Sequence, residues 1–261
     1  MTLTNKTVLI TGAAGGIGAE LCRLLLAEGA QLVLNSISAT QLVALQLKLG
    51  STQRTVVADV GSTEGRMAIV QACSAAGGVD AVVNLAGILD FDMYNRQSDA
   101  TVTRIIEVNT LGPMLLCKSL LTMLLARPSA RIVNVGSIFG SIGHPGFAAY
   151  CASKAAIKIF SEALGRELAD TNVSVAYIAP RATNTNLNPA KLNALNAALG
   201  TRADAPELVA REIVAMLAGN KRLRYLGWPE KLFVYINAIL PAVVFSALAK
   251  KLSLIKKFAQ Q

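Results

Sequence analysis

The chain has 261 residues, enough for one large α/β domain with a sizeable core and cramped for two. Apolar residues make up 53% of it and charged residues 16%, with a mean hydropathy of +0.47, so part of the surface is reserved for a partner or a membrane. The net charge of +9 does not mark a nucleic-acid binder: residues 220–261 hold eight Lys or Arg against Glu230 alone, the body is nearly neutral, and these bases flank an apolar run rather than stacking aromatics.

Met1 to Lys6 runs straight into the first predicted strand, so no signal peptide and a cytoplasmic protein are expected. Cys22, Cys73, Cys117 and Cys151 are widely spaced without a CxxC pair, and His144 is the single histidine. The cysteines therefore read as buried reduced thiols, and no metal site is expected. Thr7-Val8-Leu9-Ile10 is followed by Thr11-Gly12-Ala13-Ala14-Gly15-Gly16-Ile17-Gly18 and a helical pattern through Leu21, Leu24 and Leu25. Strand, glycine-rich turn and helix in that order make a phosphate site, because glycines let the backbone approach and the helix N-terminus offers free N–H groups. The spacing is GxxxGxG rather than GxGxxG. Gln31 to Leu34 is the next strand, and its end should meet an adenosine ribose. Asn35-Ser36-Ile37-Ser38 supplies neither the acid that binds the 2′-hydroxyl of NAD nor a base for the 2′-phosphate of NADP. Ser and Asn donors, Ser36 among them, with no carboxylate to repel a phosphate, lean the reading towards NADP(H) over NAD(H).

Thr55 to Val60 is a third strand with an acid near its end, and Asp80 to Gly87 is a fourth that ends in small residues, with helical segments between. This alternation predicts an α/β fold with a doubly wound parallel sheet and ligands outside the carboxyl ends of the strands. Thr101 to Leu125 reads as a long apolar helix interrupted at Asn109 and at Gly112-Pro113, and a buried Asn needs partners. Ile132 to Ser137 reads as a buried strand ending in a hydroxyl, thirteen residues before Tyr150. In Tyr150-Cys151-Ala152-Ser153-Lys154 a phenol and an ammonium stand four apart on one helix face, where the cation should lower the phenol pKa. Such a pair can donate or accept a proton, with the Ser137 hydroxyl holding a substrate oxygen beside it. His144 sits on the intervening loop and is expected to line a pocket rather than to catalyse. Asn186 to Thr201, with Leu187, Leu192, Leu195 and Leu199, reads as an amphipathic lid, followed by a helix from Pro206 and a last strand at Leu223 to Gly227.

Together these residues make the chain resemble the short-chain dehydrogenase/reductase family over roughly residues 1–228, which implies a Rossmann fold. Thr11 to Gly18 matches the TGxxxGIG cofactor loop, so Gly12, Ala14, Gly15, Gly16, Ile17 and Gly18 are expected against the cofactor. Asp59-Val60 matches the pair that meets the adenine. Asn84-Leu85-Ala86-Gly87 matches the NNAG turn with Leu85 for Asn, which places Asn84, Ala86 and Gly87 near the cofactor. Asn109, Ser137, Tyr150 and Lys154 match the catalytic tetrad in order and spacing. Pro180-Arg181-Ala182-Thr183-Asn184-Thr185 looks like the PGxxxT segment, with Pro180, Thr183 and Thr185 as cofactor contacts and Arg181 replacing Gly. Arg181 alters the loop, reaches a substrate anion, or is a solvated surface residue. The resemblance further implies that Tyr150 is the general acid, that Ser137 holds the carbonyl, that Lys154 tunes Tyr150 and binds the nicotinamide ribose, and that Asn109 holds a water feeding Lys154. It also implies a homo-dimer or homo-tetramer formed through the helices around Asn109 and Tyr150.

Residues 229–261 lie beyond the family pattern and form a basic, apolar helical extension. Leu232 to Ala249 is eighteen residues without a charge, flanked by Lys231, Lys250 and Lys251, near the length limit for a span. A spanning helix, a pair of interfacial helices broken at Pro241, and a segment packed on the domain or a neighbouring subunit all remain open. The expected activity is reduction of a carbonyl or oxidation of a secondary alcohol, with a hydrophobic, lipid-like substrate such as a ketoacyl chain. A soluble reductase of a small ketone and a non-catalytic NADP(H) sensor or scaffold are the alternatives.

Overall fold

The computed structural model describes residues 2–260. Seven strands pair in parallel: β1 (Thr7–Thr11), β2 (Gln31–Ser36), β3 (Arg54–Val57), β4 (Ala81–Asn84), β5 (Ala130–Val135), β6 (Val173–Ala179) and β7 (Leu223–Tyr225). Their order is β3-β2-β1-β4-β5-β6-β7, so the winding reverses between β1 and β4 and opens a ligand crevice there. Both faces are covered, which is why the strands are nearly continuous apolar runs. The pleat sends Val8 and Ile10 to the layer holding α1 (Gly16–Ala27), α2 (Ala39–Leu49) and α8 (Pro206–Ala218). Leu9 goes to the opposite layer, with Ile69 of α3 (Thr63–Ala75) and Leu116 and Leu120 of α5 (Gly112–Leu125).

Two expectations change. β3 stops at Val57, and Asp59 turns the chain by accepting from the Gly61 N–H at 2.8 Å, so the acid lies in a loop rather than at a strand end. The long helix is α4 (Asp99–Ile106), a π-turn over Glu107–Leu111, then α5. Pro113 has no N–H to offer the Asn109 carbonyl four residues back, so the hydrogen-bond ladder must shift where Asn109 sits. α6 (Ala148–Glu167) carries Tyr150 and Lys154. Beyond it lie α7 (Ala190–Ala198), then α9 (Glu230–Ile239), α10 (Pro241–Ala249) and α11 (Leu252–Ala259). The uncharged run is therefore two short helices with Leu240 between them in non-helical geometry, and the spanning-helix reading is overturned.

Candidate active site

The loops after β1 and β4 are tied together by one hydroxyl: Thr11 Oγ1 accepts from the Leu85 and Ala86 N–H groups, each at 3.1 Å. Gly12 takes φ +68°, and a Cβ there would stand 2.9 Å from the Ala86 Cα, so only glycine permits this approach. Gly15 is the N-cap of α1, with no side chain capping the helix and no acid in its first turn. Ala14, Gly15 and Gly16 are accessible at this helix end, which leaves first-turn N–H groups open to a pyrophosphate. A Cβ on Gly16 would lie 3.1 Å from the Thr185 methyl, so the segment after β6 closes over the loop. The cradle fits a dinucleotide.

At the adenosine end the expected residues divide. Asn35 Nδ2 donates to the Val56 and Ala58 carbonyls at 3.3 and 2.9 Å, which removes it as a phosphate donor. Ser36 Oγ accepts from the Ser38 N–H at 3.3 Å and keeps its own proton to give. Asp59 faces Arg104, whose Nη2 lies 2.5 Å from Oδ2. Val60 is buried in the core and its carbonyl accepts from Arg66 at 3.1 Å, so its side chain is withdrawn from any ligand. Asn84 is turned inward too. Its Nδ2 donates to Asn134 Oδ1 at 2.7 Å and to Cys117 Sγ at 3.2 Å, so its side chain points into the core between β4, β5 and α5 rather than to the cofactor.

Ser137, Tyr150 and Lys154 converge on one cavity of about 390 Å³, also lined by Ile17, Gly87, Pro180, Thr183 and Thr185. Ser137 follows β5 and is fixed by a residue the sequence reading missed. The Tyr177 hydroxyl, from β6, accepts from the Ser137 N–H at 3.3 Å and donates to its carbonyl at 3.2 Å. The small residue beside it is part of this device, because a Cβ at Gly136 would meet the Tyr177 oxygen at 2.1 Å. Tyr150 and Lys154 are both buried, and Lys154 Nζ donates to the Val135 carbonyl at 3.2 Å and lies 5.7 Å from the Tyr150 ring centroid.

Burial reverses the expected shift of the phenol. Loss of solvent pushes the Tyr150 pKa up to about 12, against a smaller lowering by its hydrogen bond with Ser137. The same loss of solvent lowers Lys154 to about 8. Helical spacing alone predicts only the attraction between the two groups, whereas desolvation is the largest effect on each in this pocket. The Asn109 side chain is held by three hydrogen bonds. Its Nδ2 donates to the Ile88 carbonyl at 2.8 Å and to Ser153 Oγ at 3.1 Å, and its Oδ1 accepts from the Ile88 N–H at 2.8 Å. Ser153 in turn donates to the Tyr150 carbonyl at 2.7 Å. With both amide protons so engaged, Asn109 ties the loop after β4 to α6, and any water it holds must use other atoms.

Arg181 is not a solvated residue: it lines the cavity and its charge is paired. Its Nε and Nη2 donate to Asp204 Oδ1 at 2.9 and 2.6 Å, and its Nη1 to Glu230 Oε2 at 3.1 Å and the Trp228 carbonyl at 3.2 Å. This clamp fastens the loop after β6, the Thr183–Asp204 bridge and the start of α9 to one another. His144 lines the cavity, as expected, stacked on Phe139 with centroids 4.9 Å apart; burial lowers its pKa. The cavity roof is apolar: Leu187, Leu192, Leu195 and Leu199 from the predicted lid, and Val243, Val244 and Leu248 from α10. Among the described residues no group of three His, Cys, Asp or Glu side chains is placed to hold a metal ion.

A family model described as short chain dehydrogenase matches residues 6–196. The chain belongs to the short-chain dehydrogenase family. Nodulation protein G of a Rhizobium species is 35% identical over 230 residues, covering 86% of this chain and 94% of the relative. The 3-oxoacyl-(acyl-carrier-protein) reductase FabG of Vibrio cholerae is 30% identical over 236 residues, covering 90% and 94%. In fold, the chain superposes with a TM-score of 0.81 on a short chain dehydrogenase from Burkholderia cenocepacia solved in complex with NADP, at 22% identity and covering 95% and 99%. As a short-chain dehydrogenase the protein is an oxidoreductase of CH–OH or C=O groups that uses NAD(P).

Proposed function

We propose that this short-chain dehydrogenase reduces the carbonyl of an apolar, lipid-like compound, with Tyr150 as general acid. The observation that carries the reading is the meeting of Tyr150, Ser137 and Lys154 in a cavity whose lining is mainly apolar and includes Ile17 of the glycine-rich cradle. A nicotinamide cofactor, when bound, supplies the hydride. Ser137 and Tyr150 hydrogen-bond the substrate oxygen, and Tyr150 gives it a proton as it becomes an alkoxide, leaving a phenolate. A phenol held near 12 keeps its proton at neutral pH but is a weaker acid than a free tyrosine, so its phenolate needs help. Ser137 and a charged Lys154 provide it, and a proton passed in from solvent restores the phenol. The 3-oxoacyl substrate in the Vibrio relative's name supports a ketoacyl chain.

The lean to NADP(H) rests on Ser36 and on the absence of a carboxylate at the end of β2. A homo-oligomer is supported by exposed Leu111, Leu115 and Leu125 along the π-turn and α5, with Ile159 on α6. The test is a panel of 3-ketoacyl thioesters, long-chain ketones and small ketones, followed by oxidation of NADPH and of NADH. The expected result is turnover that rises with chain length and favours NADPH. Turnover of small ketones alone would replace the substrate class, and cofactor binding without turnover of any carbonyl would favour a sensor.

A further inference from the structure

α9 and α10 meet at an elbow, Leu240-Pro241, inside the stretch that has no charge from Leu232 to Ala249. One side of the pair is accounted for. Val234 and Val244 are buried with Ile138, Tyr177 and Tyr225, and Asn237 donates to the Ser141 carbonyl at 2.9 Å. The other side is not covered: Tyr235, Leu240 and Val243 are exposed, and Ile239 and Phe245 are 77% and 75% exposed. In sequence, lysines flank this apolar tip, Lys231 before it and Lys250, Lys251, Lys256 and Lys257 after it, Lys251 also lining the cavity, and no Asp or Glu follows Glu230. Among the described residues none of these five lysines forms an ion pair.

We propose that the α9–α10 elbow docks on an anionic bilayer, and that the cavity fills from that membrane. Apolar side chains at a bend between short helices bury in the acyl boundary, while unpaired lysines beside them meet lipid headgroups. A second copy of the chain fits this surface poorly. A two-fold contact sets the same patch against itself, so it would oppose lysines to lysines with no acid in the segment to pair them. The connection to the site is direct, because Val243, Val244 and Leu248 of the same α10 line the cavity that holds Tyr150. This second half of the proposal rests on the reading of the protein as a reductase of apolar carbonyls; the docking itself does not.

The test is sedimentation of the full chain with vesicles of phosphatidylcholine alone and of phosphatidylcholine mixed with phosphatidylglycerol, beside the double variant Ile239→Glu/Phe245→Glu. Neither side chain lines the cavity, so NADPH titration reports whether the variant is folded. Deleting the extension would uncover Ile138 and Tyr150, so point substitutions are the better probe. The full chain is expected to sediment with the anionic vesicles only, the double variant at least about tenfold less, and both less as salt rises. Lys256→Gln/Lys257→Gln should weaken binding by about fivefold per charge. A ketone dissolved in the vesicles should be reduced faster by the wild type than by the double variant, with equal rates on a water-soluble ketone. No sedimentation with anionic vesicles, or equal sedimentation of the folded double variant, overturns docking. A wild type that ignores vesicles but loses subunits on the double substitution makes the patch a subunit interface and also overturns it. Docking without NADPH oxidation on any carbonyl upholds docking and overturns the catalytic reading instead.

Discussion

Arg181→Met removes the clamp while keeping most of the side chain's apolar volume. Asp204 is 8% exposed and receives two N–H bonds from Arg181 on Oδ1, while its Oδ2 has no partner among the described residues. The substitution therefore leaves a buried carboxylate with nothing to compensate it and frees Glu230 at the start of α9. Removing one partner of a buried pair costs about 3–5 kcal/mol. At about 2–4 °C per kcal/mol for a chain of this size, the melting temperature should fall by about 10 °C. Thermal unfolding followed by circular dichroism measures it. Arg181→Met/Asp204→Asn, which removes the stranded charge, should recover much of the loss, although Glu230 still lacks its arginine. A single variant that melts within about 2 °C of the wild type, a shift worth no more than about 1 kcal/mol, would refute the reasoning.

Four further outcomes follow from burial and hydrogen bonding. Burial lowers Lys154 from 10.5 to about 8, so the unfolded chain holds more protons between those values; the buried lysine weakens the fold below about pH 8, and that penalty lifts as pH rises towards 10.5. Catalysis runs the other way: kcat/KM for reduction should fall above about pH 8 as Lys154 loses its charge, and Lys154→Gln should abolish that fall together with most of the rate. Tyr177→Phe removes two of the bonds that hold Ser137, those of the phenol to its N–H and carbonyl, and it should lower kcat by about three- to tenfold with NADPH affinity unchanged; a loss of NADPH binding instead would mark a collapsed pocket. The thiols of Cys22, Cys73 and Cys117 are pushed up to about 12 by burial and Cys151 is also raised, so a thiol reagent at pH 8 should modify none in the folded protein and all four after unfolding.

What was legible in the sequence was local. Thr11 to Gly18 carries its strand, turn and helix within a few residues, and the four-residue step from Tyr150 to Lys154 needs only a helix to bring the pair together. The interruption at Asn109 and Gly112-Pro113 was visible for the same reason, although not as a π-turn. Partners chosen across the fold were hidden. Arg181 finds Asp204 and Glu230 from 23 and 49 residues away, and Asn84 turns to Asn134 because β4 and β5 are neighbours in register. Tyr177 is one apolar-run residue among several until β6 places it behind Ser137. The sign of the Tyr150 shift was missed because charge spacing can be read along a chain and desolvation cannot. In the extension, the break at Pro241 was expected from the residue itself, while the apolar cavity lined by α10 emerges only from packing.

The central claim is that Tyr150 delivers the proton in a site that binds its cofactor independently of it. The direct test is NADPH oxidation with a long-chain ketone by the wild type and Tyr150→Phe, with NADPH affinity titrated on both. The account predicts a rate loss of about 10² to 10⁴-fold with affinity unchanged. Turnover that survives the substitution would contradict it.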